Sequence, residues 1–173
     1  MIETRTATLA FRPQSRAAGE PVRITGYASV TGAPYDVADF LGVYRETIAP
    51  GAFTRALDEG QDVRLLSNHD GLPLARTSSG TLTLTEDARG LRIDATLDPA
   101  DPDVQAILPK LERGDLREMS MAFSCGPEDQ SWNADYTERT ITSLSLYDVS
   151  IVTYPASPTT SVGIASSVTS PAI

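Results

Sequence analysis

The chain has 173 residues, 40% of them hydrophobic and 21% charged, which suits one folded domain with a hydrophobic core rather than a disordered chain. Its formal net charge of -9 argues against a nucleic-acid-binding surface, because neutralising phosphates needs clustered Lys and Arg. Single Cys and His residues exclude an intramolecular disulfide and a cysteine-based metal site, and a zinc ion would have to rely on carboxylates.

The first third of the chain reads as short strands. The segments "TRTATLAF" and "VRITGYASV" alternate apolar and polar residues, as half-buried strands do. A third strand ends near Pro50, and a short helix is predicted from about Gly51 to Glu59, with Gly60 ending it. The polar start "MIETRTATLAF" lacks the apolar core of a signal peptide, and no apolar run reaches bilayer length. We therefore expect a soluble protein of a reducing compartment.

The middle of the chain contains the clearest hairpin and the clearest helix. "GTLTLTEDARGLRIDATL" has two alternating runs around a turn. In "DPDVQAILPKLERG", Asp101 is a natural N-cap, Pro102 stands at the first helical position and Gly114 ends the helix. Pro109 should kink or shorten that helix. With the later runs "MSMAFSC" and "RTITSLSLYDVSIVTYP", the pattern predicts a β-dominated α+β fold, a closed or nearly closed β-barrel with a few peripheral helices.

Two of these runs carry polar residues where a core strand should be apolar. In "MSMAFSC" the period of two places the methionines and Phe123 on a core face and leaves Ser120 and Ser124 on a face of small residues. That face suits either a ligand or ordinary hydrogen bonds to neighbours. In "LSLYDVSIV" the same period puts Asp148 on one face with Leu146, and the residues of the other face are apolar as well. Both faces of this predicted strand are therefore largely apolar. A carboxylate there needs a partner, either an arginine such as Arg139 or an imidazole.

The lone histidine, His69, follows the predicted strand "VRLLSN" in a turn-like setting, so its ring should face an opening at a strand end. A lone histidine is more commonly a capping or packing residue. With a serine and a distant carboxylate, however, it could form a nucleophile, a base and an orienting acid. Spacing does not single out Ser120 from Ser67, Ser124 or Ser150, and no G-x-S-x-G elbow is present.

The order of the motifs "GYASV", "YRETIAPGAF", "LLSNHD", "GDLREMSMAFS" and "LYDVSIVTYPASPTTSV" resembles the tailed-phage prohead serine protease family, across roughly residues 24–162. The resemblance implies a fold like that of the herpesvirus assembly protease. It also implies a catalytic triad of Ser120 as nucleophile, His69 as base and Asp148 at an acidic position where the family often has glutamate. Candidate hydrogen-bond donors of the oxyanion hole are backbone N–H groups near Ser120 and the side chain of Arg117.

The resemblance further implies a serine endopeptidase that needs no metal and no cofactor. Its substrates would be scaffolding segments and the major capsid protein, cut inside the assembling prohead in the host cytoplasm, with self-processing. No nucleic-acid or membrane partner is expected, and a homo-oligomer is left open. We expect a protease domain over residues 1–162 and a flexible Ser/Thr/Ala-rich tail over 163–173. The alternatives are a non-cleaving capsid assembly or scaffolding module and a thiol enzyme using Cys125 with His69.

Overall fold

The structure is a computed structural model that describes residues 2–8, 19–39, 42–154 and 161–164. These residues contain two α-helices, α1 (Thr54–Asp58) and α2 (Pro102–Arg113), and a 3₁₀ turn at Pro127–Asp129. None of their helices is both long and apolar enough to cross a bilayer. The strands are β1 (Glu3–Thr8), β2 (Val22–Val30), β3 (Tyr35–Asp39), β4 (Gly42–Ile48), β5 (Arg64–Ser67), β6 (Asp70–Arg76), β7 (Leu82–Glu86), β8 (Gly90–Leu97), β9 (Glu118–Ser124), β10 (Gln130–Trp132), β11 (Glu138–Ile141), β12 (Ser145–Val152) and β13 (Ser161–Ile164).

The strands form three open sheets, with the orders β1-β9-β12-β5-β6, β10-β11-β4-β3 and β13-β2-β8-β7. The β-dominated α+β class is therefore confirmed. The closed barrel is not seen: closure requires the two edge strands of a sheet to pair, and within the described residues β1 bonds only to β9 and β6 only to β5. The sheets instead pack around a shared core, with β2 lying close to both β1 and β9.

In the five-stranded sheet, strand β9 separates apolar from polar residues as the sequence predicts. Met119, Met121 and Phe123 are fully buried in the core, and Ser120 and Ala122 lie on the opposite face. On β12 the predicted faces are wrong, because a β-bulge shifts the register between Leu146 and Asp148.

The bulge changes which residues share a face. Leu146 pairs with Phe123 and Val149 pairs with Met121, so both belong to the core face. Asp148 pairs with Ala122 instead, on the face that carries Ser120. The strand therefore has one apolar face and one polar face, rather than two apolar ones.

Both predicted helices are present. In α2, the Asp101 side chain accepts a hydrogen bond from the N–H of Asp103 at 2.8 Å, and Gly114 ends the helix in the left-handed conformation at φ 79°. Pro109 removes one N–H from the helix, yet the helix continues to Arg113 instead of stopping. The predicted hairpin is also confirmed, as β7 and β8.

The two ends of the chain lie partly outside the described residues. The strand predicted from "TRTATLAF" is confirmed over Glu3–Thr8, and its last residues fall outside the description. Near the other end, β13 pairs with β2 in an antiparallel register, so the boundary expected at residue 162 falls inside a strand. Residues 165–173, most of the predicted tail, lie outside the description.

Candidate active site

His69 sits in a two-residue turn that joins β5 to β6. Ser67 pairs with Asp70 across the turn, and the two central residues, Asn68 and His69, have φ values of 52° and 59°. Tight hairpin turns of this kind need positive φ at both positions and usually carry glycine at the second. A histidine there costs on the order of 1–3 kcal/mol of backbone strain, and such strain is found mainly where a side chain is functional.

Asn68 fastens this turn to the neighbouring strand. Its backbone N–H donates to the carbonyl of Ile151 at 2.8 Å, and its side-chain oxygen accepts from the N–H of Thr153 at 2.9 Å. Because β5 and β12 are parallel, the turn at the end of β5 lies beside the last residues of β12. The imidazole of His69 is thereby held over the polar face of β12.

The imidazole is paired with Asp148. His69 Nδ1 lies 2.7 Å from Asp148 Oδ1, and the two side chains are 22% and 12% exposed. A carboxylate oxygen accepts hydrogen bonds, so Nδ1 carries a proton, and in the neutral imidazole Nε2 then presents a lone pair. Nε2 is buried and has no hydrogen-bond partner. The ring is therefore oriented by a carboxylate on one side and has an unused proton acceptor on the other.

Ser150 also contacts this pair. Its hydroxyl donates to Asp148 Oδ1 at 2.7 Å, lies 3.2 Å from His69 Nδ1 and accepts from the backbone N–H of His69 at 3.2 Å. Ser150 is fully buried. Three polar groups, from a turn and from two positions on β12, thus form one hydrogen-bonded cluster.

Ser120 lies on the same face of the sheet but is not hydrogen-bonded to His69. It is paired directly with Ser150 across β9 and β12, an arrangement that brings opposite Cβ atoms to within roughly 4.5–5.5 Å. Its hydroxyl donates to the carbonyl of Arg5 on β1 at 2.9 Å, and the residue is fully buried. The structure thus joins two of the three predicted site residues and places the third on the adjacent strand.

The other predicted partners lie elsewhere. Arg139 does not pair with Asp148: its guanidinium binds Glu46 at 2.9 Å and Glu3 at 2.8 Å. Arg117, a guess for the oxyanion hole, has a side chain 54% exposed beside Glu118. Among the described residues, no group of three His, Cys, Asp or Glu side chains is placed to share a metal ion.

Sequence reasoning missed the roles of Asn68 and Ser150. The sequence leaves Ser150 as one of several candidate serines, although its position two residues after Asp148 on a strand indicates that both share a face. The sequence predicts only that Asn68 belongs to a turn. Its neighbour, a histidine where such turns favour glycine, was the available sign that this turn is more than a connection.

A buried ionic cluster anchors β1 beside the site. Arg5 Nε lies 2.6 Å from Glu46 Oε1, Glu46 is fully buried, and Glu3 binds the guanidinium of Arg139. Burial acts to raise the pKa of Glu3, but the guanidiniums of Arg139 and Arg5 outweigh it, so the pKa lies below its ordinary value. The strand β1, whose Arg5 carbonyl accepts the Ser120 hydroxyl, is therefore held by ion pairs as well as by backbone hydrogen bonds.

The single cysteine belongs to this cluster rather than to the histidine site. Cys125 Sγ accepts a hydrogen bond from Arg139 Nη2 at 3.0 Å. Burial raises the pKa of the thiol, and the nearby Arg139 only partly offsets that effect. A thiol kept protonated in this way is a poor nucleophile, which argues against the thiol-enzyme reading.

An imidazole that is oriented by a carboxylate and has an unbonded Nε2 can act as a general base. A family model described as caudovirus prohead serine protease matches residues 9–171. The chain therefore belongs to the caudovirus prohead serine protease family, and its function is that of a protease in phage capsid maturation. No curated protein and no solved structure matches the chain.

Proposed function

We propose that this protein is a serine endopeptidase whose triad is Ser120, His69 and Asp148. The observation that carries the proposal is the 2.7 Å contact from His69 Nδ1 to Asp148, which leaves the buried Nε2 without a partner. Its membership of a serine protease family supports the reaction class. The position of Ser120 opposite Ser150, on the same face as Asp148, supports its choice over Ser67, which lies on β5.

In the proposed reaction, His69 Nε2 takes the hydroxyl proton as Ser120 Oγ attacks the scissile carbonyl carbon. Asp148 stabilises the imidazolium that forms. The imidazolium then protonates the leaving amine, the C–N bond breaks and an acyl-enzyme remains. Water, deprotonated by Nε2, attacks the ester carbonyl, and the proton returns to Ser120 as the acid product leaves. Base catalysis of this kind contributes on the order of 10²–10⁴ in rate.

The first step requires the Ser120 hydroxyl to leave the carbonyl of Arg5. A rotation about χ1 to another staggered position redirects Oγ without moving the backbone. Catalytic hydrogen bonds are commonly long or misaligned before substrate binds and tighten in the complex. The present bond to Arg5 is therefore compatible with a resting state of the enzyme.

We further propose the finer identity that the family suggests. The substrates are scaffolding segments and extensions of the major capsid protein, cut within the assembling prohead in the host cytoplasm. The protease domain spans residues 1–162 and is followed by a Ser/Thr/Ala-rich segment at 163–173, the fold resembles that of the herpesvirus assembly protease, and the protein processes itself. No nucleic-acid or membrane partner is involved, and a homo-oligomer is compatible with this account.

One observation favours a second function, a protease-like assembly module that binds capsid protein without cutting. Ser120 is fully buried, and its hydroxyl is already bonded to Arg5. In that case the His69–Asp148 pair would serve as a structural contact between the turn and β12.

Co-expression with the major capsid protein of the same phage separates the two functions. Wild type, Ser120→Ala and the control Ser124→Ala, a serine on the same strand bonded to the Tyr147 hydroxyl at 3.0 Å, are compared by intact mass spectrometry of all products. We expect the same new fragments from wild type and Ser124→Ala and none from Ser120→Ala. Intact, co-purifying proteins in all three samples would favour the assembly module, and retained cleavage by Ser120→Ala would remove Ser120 from the mechanism.

A further inference from the structure

The Ser150 hydroxyl is placed where it can act on catalysis through His69 and Asp148. It is fully buried on β12, two residues beyond Asp148, and its three polar contacts all go to His69 and Asp148. A buried hydroxyl must find partners or cost free energy, and this one finds only groups of the proposed triad.

The single hydroxyl proton fixes the direction of these bonds. The proton points at Asp148 Oδ1, the 2.7 Å contact, because a carboxylate can only accept. A lone pair of the oxygen then accepts the backbone N–H of His69 at 3.2 Å. Ser150 therefore connects the main chain of the strained turn to the carboxylate that orients the ring.

The same geometry argues against Ser150 as the nucleophile. Its oxygen lies on the Nδ1 side of the ring, 3.2 Å from the nitrogen that already serves Asp148. A nucleophile must give its proton to the other nitrogen, Nε2, which has no partner. Ser150 instead donates its hydroxyl hydrogen bond to the carboxylate.

We propose that Ser150 is a positioning residue of the active site, which fixes the His69 imidazole and the Asp148 carboxylate relative to each other. This proposal rests on the proposed triad. The turn at His69 has positive φ at both central residues, so a backbone anchor at this point opposes relaxation of the turn. Loss of the anchor lets the ring move away from Ser120, and a displacement of about 1 Å at a reacting group can cost on the order of 10²-fold in rate.

The kinetic test compares Ser150→Ala, Ser150→Thr and the matched control Ser124→Ala, using a peptide that spans the cleavage site found by co-expression. We expect kcat of Ser150→Ala to fall by about 10–10²-fold while KM changes little, because the Ser150 hydroxyl lies on the Nδ1 side of the ring, away from the nitrogen that would act on substrate. Ser150→Thr keeps the hydroxyl and should restore most of kcat. A kcat for Ser150→Ala equal to that of the control overturns the proposal.

A spectroscopic test uses the fact that the chain has one histidine. Protein labelled with ¹⁵N-histidine, in the Ser120→Ala background to prevent self-cleavage, gives one imidazole in NMR spectra. We expect a sharp, exchange-protected Nδ1–H signal with the Ser124→Ala change and a broadened or lost one with Ser150→Ala. If the signal is unchanged, the proposal is overturned even when kcat falls, since Ser150 then acts other than through His69.

The two tests also separate this inference from the proposed function. If the wild type cuts no substrate, the proposed function fails, and the imidazole spectra alone decide whether Ser150 fixes the ring. If Ser150→Thr does not fold, Ser150→Ala against its control is sufficient. Covalent labelling of Ser150 by a serine-directed phosphonate would overturn the positioning role and the assignment of Ser120 together.

Discussion

Ser120 and Ser150 are direct partners across β9 and β12, yet their hydroxyls bond to different groups, on β1 and on β12. Ser150 donates to Asp148 at 2.7 Å, within the histidine cluster, and Ser120 donates to the carbonyl of Arg5 at 2.9 Å, on β1. A rotation at Ser120 alone redirects its hydroxyl away from β1. The proposed nucleophile therefore lies between the His69–Asp148–Ser150 cluster on one side and β1 on the other.

Replacing Asp148 by asparagine should nearly abolish proteolysis without unfolding the protein. The amide is close in shape to the carboxylate, but its NH₂ can donate to Nδ1 and favours the wrong tautomer. In comparable triads this change lowers kcat on the order of 10⁴-fold. The measurement is kcat on the cleavage-site peptide, with the exposed Asp70→Asn as control, since Asp70 bonds only to the N–H of Gly71 in the hydrogen bonds described. Activity within tenfold of wild type would argue that Asp148 does not orient the base.

Two substitutions of His69 should separate its chemistry from its backbone conformation. His69→Asn and His69→Val both remove the imidazole, so we expect both to be inactive. Asparagine tolerates the φ of 59° and a β-branched residue does not, so His69→Val should be less stable by about 1–2 kcal/mol. Urea unfolding of the two proteins tests this. Equal midpoints would indicate that the turn relaxes and stores no strain.

The anchoring of β1 should weaken in acid. The pKa of Glu3 is held below its ordinary value, so Glu3 contributes stability above the unfolded-state pKa of about 4.3 and loses it as the pH falls through the lower, folded-state value. Wild type should therefore unfold at a higher temperature than Glu3→Gln at pH 7, and the difference should shrink below about pH 4. A difference that grows on acidification would contradict the pairing of Glu3 with Arg139.

Cys125 should react slowly with alkylating agents and should not matter for proteolysis. Burial raises the pKa of its thiol, so the thiolate fraction near pH 8 is below that of a free cysteine. Iodoacetamide labelling followed over time by mass spectrometry measures the rate, and a peptide assay measures the activity of the labelled protein. Rapid labelling with parallel loss of cleavage would revive the thiol-enzyme reading.

The sequence was sufficient where one periodicity held throughout an element. The alternation in β9, the capping residues of α2 and the hairpin of β7 and β8 are all local signals, and the structure confirms them. The turn before Asp70 was also predictable, since "SNHDG" is rich in turn-forming residues.

Features that depend on pairing between distant strands could not be read in this way. The bulge between Leu146 and Asp148 reverses the faces of β12, and strict alternation carries no sign of it. Closure into a barrel depends on which edge strands meet, a property of the whole topology. The pairing of β13 with β2 likewise joins a charge-poor segment to a strand more than 130 residues earlier. The hydrogen bond from the Ser120 hydroxyl to the Arg5 carbonyl also joins residues far apart in the chain, so the sequence pattern does not predict it.

The most direct test of the central claim is to identify the reactive serine. The protein, co-expressed with capsid protein, is treated with a fluorophosphonate, which forms a P–O bond to an activated serine and releases fluoride, and the adduct is located by peptide mass spectrometry. We predict an adduct on Ser120 in the wild type, none in Ser120→Ala and a strongly slowed reaction in His69→Ala. An adduct on another serine, or an undiminished rate without His69, would contradict the assigned triad.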